Sequence, residues 1–102
     1  MIDKEFLMEA FRKDVIIKIH AYDRIKERKI TFHQIEQAIE SDDLIEFYQD
    51  DFPIPSVLIL GFVNNDPLHI VCAPSDKALI IITAYHPDPK LWKDNWKERR
   101  GD

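Results

Sequence analysis

Apolar positions recur along the chain with two different periods. Between Asp3 and Lys13, Phe6, Leu7, Ala10 and Phe11 fall on one side of a helix, with Asp3 placed to cap it. Val15 to Ile19 is β-branched apart from Lys18 and predicts a short strand. Helical spacing then returns. Ala21, Ile25 and Arg28 follow it with Tyr22 alongside, and Lys29 ends that helix where glycine is usual. Thr31-Phe-His-Gln34 has the layout of a capping box: the Thr31 hydroxyl accepts from the amide of Gln34, whose side chain reaches back. Phe32, Ile35, Ala38 and Ile39 make an apolar face behind it, so Thr31 to Ser41 predicts a further helix.

Beyond Ser41 the pattern is that of strands. Leu44–Tyr48, Ser56–Val63, Leu68–Ala73 and Ala78–Tyr85 are short apolar runs. They are separated by the loop Asp50–Pro55, the turn Asn64-Asn65-Asp66 and the turn Pro74–Lys77. Short strands joined by tight turns predict an antiparallel meander. Asp88 before Pro89 signals a last helix, with Trp92 and Trp96 on one face and Lys93, Lys97, Arg99 and Arg100 toward its end. The expected fold is α+β: two N-terminal helices on a curled four- to five-stranded antiparallel sheet, with a C-terminal helix. At 102 residues the chain predicts a single domain over 1–102.

Composition narrows the class. Two glycines, six prolines and ordinary apolar content fit a globular chain. The longest apolar run, Ala78–Ala84, is too short to cross a bilayer, and the first residues lack the layout of a signal peptide. Cys72, the one cysteine, excludes an internal disulfide and reads as a buried strand thiol, so a cytoplasmic location is expected. The net charge of −5 opposes loose polyanion binding, but charge is segregated. Ile30 to Asp76 holds nine acids and no Lys or Arg, so all fourteen basic residues lie on either side.

His20 and Arg24 carry the best chemical lead. Four residues apart on a helix, an imidazole and a fixed cation project from one face, which suits binding or cleaving a phosphodiester. Metal-free RNA cleavage needs a base for the 2′-hydroxyl, an acid for the leaving oxygen and a cation for the phosphorane. His20 is the expected base or acid, Arg24 the cation, and His69 or Tyr85 the other proton-transfer group. Arg28, one turn beyond Arg24, and His86, beside Tyr85, are the expected RNA contacts. Structural roles compete with three of these: a hydrogen-bonded sheet histidine for His69, a cap or a partner for a backbone carbonyl for His20, and an ion pair with Asp23, Glu27 or an acid of the Ile30–Asp76 stretch for Arg24. No Cys-x-x-Cys or His-Glu-x-x-His spacing and no glycine-rich phosphate loop occurs, so neither metal nor cofactor is expected.

Several of these pieces resemble the family of domains of unknown function numbered 4258. They are His20-Ala21 with Arg24, Glu27-Arg28 before Ile30-Thr31, and the loop ending Pro55-Ser56. Leu60-Gly61, Pro67-Leu-His69, Ile80–Thr83, and Tyr85 with Pro87-Asp-Pro89 and Trp92 complete the set. The resemblance spans roughly residues 15–100, and Lys29 departs from the family's glycine. The family's order of elements is similar to that of RelE-like toxin ribonucleases, BrnT in particular. That likeness implies a metal-independent ribonuclease acting as the toxin of a toxin–antitoxin pair, although such toxins are usually basic. Its partners would be RNA and an antitoxin protein; a second copy of the chain is the further candidate, and no membrane is implied. The alternative is a non-catalytic interaction module of the same fold.

Overall fold

The computed structural model describes residues 2–51 and 53–101. Along the chain run α1 (Lys4–Lys13), β1 (Val15–Ile17), α2 (Ile19–Glu27), α3 (Phe32–Glu40), β2 (Asp43–Tyr48), β3 (Ser56–Val63), β4 (Asp66–Pro74) and β5 (Leu79–Tyr85). Local signals act as the sequence predicts. Asp3 accepts from the amide of Phe6 at 2.8 Å, and Thr31 and Gln34 close both bonds of the capping box at 3.0 and 3.1 Å. Asn64 and Asn65 take φ of 52° and 72°, the left-handed pair that a two-residue hairpin turn requires.

The end of α2 shows what the missing glycine costs. Lys29 adopts φ 60°, its amide donates to Lys26 O at 3.0 Å, and the Ile30 amide donates to Ile25 O at 3.1 Å. This is a Schellman closure, sealed by contact between two buried isoleucines, with a side chain where glycine is favoured.

The sheet order is β1-β5-β4-β3-β2. β2 to β5 form the expected antiparallel meander, but β1 runs parallel to β5, with Val15, Ile16 and Ile17 opposite Leu79, Ile80 and Ile81. The sheet is therefore mixed rather than antiparallel, and three helices rather than two precede the meander. β1 also stops at Ile17, so Lys18 caps α2 and Ile19 opens it.

One sheet face, with Val57, Ile59, Leu68, Ile70, Cys72, Leu79 and Ile81, packs against Leu7, Ala10, Ala21, Ile25, Ile35, Ala38 and Ile39 of the helices. α3 approaches so closely that a Cβ at Gly61 of β3 would lie 2.2 Å from Ala38 O. By strand alternation the second face carries Leu58 and Leu60 of β3, His69, Val71 and Ala73 of β4, and Ile80, Thr83 and Tyr85 of β5. A bulge between Val71 and Cys72 lets Ile81 and Ala84 both point to the core.

The expected C-terminal helix does not form. The amides of Leu91 and Trp92 bond to Asp88 O, which completes one turn. The Asn95 side chain then captures the amides of Lys97 and Glu98, Trp96 takes φ 64°, and Lys93 N to Glu98 O and Arg100 N to Leu91 O fold the segment back. A local side-chain acceptor outcompetes the helix here. Trp92 and Trp96 thus share no helical face: Trp92 is 3% exposed and Trp96 is half-buried.

Two substitutions test this packing. Gly61→Ala should lower stability by at least about 2 kcal/mol in urea unfolding, because backbone rather than a pliable side chain blocks the methyl group. Lys29→Gly should raise it by about 0.5–1 kcal/mol by relieving the left-handed residue.

Candidate functional site

Because β1 ends beside Ile81 and α2 begins two residues later, α2 lies along the rest of β5. At its far end Arg28 donates to Thr83 Oγ1 at 3.2 Å and Ala84 O at 2.9 Å. At its near end Lys18, His20 and Ala21 line a cavity of about 410 Å³. Ala73 and Ile80–Ile82 also line it, as do Asp51, Pro53 and Ile54 of the β2–β3 loop. Arg24 stands one turn from both His20 and Arg28, exposed to solvent.

Charge on this face is unbalanced. Lys18, Arg24, Lys26, Arg28 and Lys29 pair with no carboxylate among the described residues, so Arg24 does not take up the ion pair that competed with its phosphate role. Elsewhere five cations are matched: Lys4 with Asp42, Lys97 with Asp43, Arg99 with Glu46, Lys93 with Glu98 and Arg100 with Asp94. The acids at the head of β2 are thus answered by both ends of the chain. Asp42 is the most buried case, a carboxyl whose pKa burial raises despite Lys4 Nζ at 3.3 Å.

His69 and Tyr85 meet in a different place, under the C-terminal segment. His69 is 0% exposed, edge-on to Trp92 with ring centroids 4.5 Å apart and to Tyr85 at 5.3 Å. Its Nε2 lies 2.7 Å from Trp96 O, and a carbonyl only accepts, so Nε2 carries the proton. Burial pushes the imidazole pKa down, which leaves Nδ1 to accept from the Tyr85 hydroxyl at 3.3 Å. Burial likewise raises the Tyr85 pKa. Arg99 sits 4.7 Å from the Trp92 ring centre and donates twice to Glu46 at 2.9 Å, while Tyr48 donates to Glu46 at 2.6 Å. Burial first, then that bond, pushes the Tyr48 hydroxyl up to about 12.

The six expected residues therefore divide. His20, Arg24 and Arg28 line one side of β5. His69 and Tyr85 form a closed cluster with both imidazole nitrogens engaged, and His86 sits beside it, exposed, with Nδ1 3.4 Å from Pro67 O. His69 is four residues along β4 from Ala73 of the cavity, roughly 13 Å at the usual strand rise. That exceeds the span of one phosphodiester, so His20 and His69 do not meet across one reacting phosphorus. The spacing of residues carried no sign of Lys18, Asp51, Pro53 and Ile54 as cavity walls, nor of the Glu46–Arg99 pairing. Alternation alone puts Glu46 and Tyr48 on one strand face. Cys72 is buried and its pKa raised by desolvation. Among the described residues no three His, Cys, Asp or Glu side chains gather to hold a metal, and no helix is long and apolar enough to cross a membrane.

The Glu46–Arg99 pair makes stability depend on pH. Hydrogen bonding to Arg99 holds the Glu46 carboxyl below its ordinary value of 4.5. Its stabilisation is present above that value and is lost as pH falls through the lower, folded one. Glu46→Gln should cost about 1 kcal/mol at neutral pH, modest because Arg99 is largely in solvent. In urea titrations the gap to wild type should close at the most acid pH that the fold survives.

The C-terminal segment over His69 also marks a boundary in sequence comparison. The resemblance read from the residues extended over 15–100; the family match covers 17–86 and ends at the last residue before that segment. No protein in the search of curated proteins and no solved structure matches the chain. Residues 17–86, more than half of its length, match the domain of unknown function DUF4258, and the chain belongs to that family.

Proposed function

We propose that this protein acts on RNA through the α2 face, as a metal-independent ribonuclease of the kind that serves as the toxin in a toxin–antitoxin pair. The observation that carries this reading is the run of cations Lys18, Arg24 and Arg28, which pair with no carboxylate among the described residues, beside an exposed imidazole and an open cavity in an otherwise acidic chain. Arg24 and Arg28 hold phosphates. His20 takes the 2′-hydroxyl proton as that oxygen attacks phosphorus, Arg24 offsets the charge of the phosphorane, and the leaving 5′-oxygen takes a proton from water in the open groove. His86, exposed beyond the end of β5, contacts a nucleotide further along the strand, with the half-buried Tyr85 beside it.

The second reading is a non-catalytic interaction module, favoured by one observation. Ile19, Tyr22 and Phe32 are 72%, 53% and 47% exposed, and Tyr22 and Phe32 border an apolar crevice of about 230 Å³ that an antitoxin helix or a second copy would cover.

RNA cleavage and binding separate the two. His20→Ala should lower cleavage of single-stranded RNA roughly 100-fold or more while leaving affinity nearly unchanged. Arg24→Ala should weaken binding and reduce the slope of log affinity against log salt by about 0.7. Intact RNA and harmless expression of the wild-type protein would overturn the nuclease reading and leave the module.

A further inference from the structure

The cavity at the head of α2 is larger than a phosphate needs. Its 410 Å³ falls within the usual range for small-molecule sites, roughly 300–1,000 Å³. Its lining is of two kinds. Ala73, Ile80, Ile82, Pro53 and Ile54 offer apolar surface, while Lys18, His20 and Asp51 offer polar groups. Ile82 is 43% exposed, an apolar side chain left facing this opening. An anion alone would leave that surface wet, and a purely apolar guest would leave the Lys18 ammonium without a partner. A flat heterocycle carrying a phosphate satisfies both.

We infer that this cavity is a nucleobase subsite for a base bearing an exocyclic amine, its apolar walls taking the ring and Asp51 the amine, with the attached phosphate against Lys18, His20 and Arg24. Asp51 sets the preference. One carboxylate oxygen, Oδ2, is held by the Ser56 hydroxyl, which orients the group and leaves Oδ1 to accept from a donor. Carboxylates read the amine of cytosine in this way, and uracil presents a carbonyl at the same position. The inference rests on the RNA reading of the α2 face and names what that face selects.

Calorimetric titration of the whole protein with three probes tests it: cytidine 5′-monophosphate, uridine 5′-monophosphate and ribose 5-phosphate. The cytidine nucleotide should bind roughly tenfold tighter than either of the others. Asp51→Asn should erase the cytidine–uridine difference. Ile82→Ser, a change at an exposed side chain, should weaken both nucleotides toward ribose 5-phosphate without altering the melting temperature. Equal affinity for all three probes overturns the inference. If that occurs while Arg24→Ala still weakens RNA binding, the phosphate-binding face stands without a base site. A cytidine preference in a protein that does not cleave RNA supports the subsite and removes the nuclease.

Discussion

Three residue pairs between β1 and β5 set the geometry of everything that follows them. Val15–Ile17 add to the Leu79–Ile81 half of β5 in parallel, so the chain leaves the sheet beside Ile81 and turns at once into α2. α2 then has one course, along the unpaired half of β5, with Ala21 and Ile25 in the core and the His20–Arg24–Arg28 side toward the sheet edge. Had β1 paired elsewhere, His20 would not reach the cavity over Ala73 and Ile80. Arg28 would also lose the acceptors at Thr83 and Ala84.

Two histidines show how far environment decides chemistry. His69 lies among Trp92, Tyr85 and the Trp96 carbonyl, its proton fixed on Nε2 and its charged form disfavoured by burial. It works as a strut that joins the second sheet face to the C-terminal segment. His20, far earlier in sequence and on a helix, is exposed beside cations that pair with no carboxylate among the described residues. The same side-chain type serves packing in one place and is open to a ligand in the other, and burial rather than neighbours in sequence makes the difference.

Charge follows a similar division. The stretch without Lys or Arg looks like an isolated acidic region when read linearly. In the fold its β2 acids and the adjoining Asp42 are met by Lys4, Lys97 and Arg99 from the two ends of the chain. On and beside α2, Lys18, Arg24, Lys26, Arg28 and Lys29 pair with no carboxylate among the described residues. An acidic chain thus presents a basic face at α2, while Lys4, Lys93, Lys97, Arg99 and Arg100 are paired with acids.

The sequence by itself determined what short-range physics controls: the Asp3 and Thr31–Gln34 caps, the end of α2 at Lys29, the Asn64-Asn65 turn, the buried thiol of Cys72 and the one-turn spacing of His20 and Arg24. Each depends on residues a few positions apart, where side-chain hydrogen bonds and φ preferences act. The tertiary structure alone decided the parallel β1–β5 pairing, the separation of His69 from His20, the cavity walls from the β2–β3 loop and the refolded C-terminal segment. Those depend on contacts between distant residues, such as Leu79 with Val15 or Arg99 with Glu46, which leave no periodic trace. At Asp88-Pro89 a valid helix signal was overruled, because Asn95 held the backbone in a turn and burying Trp92 over His69 outweighed extending one exposed helix.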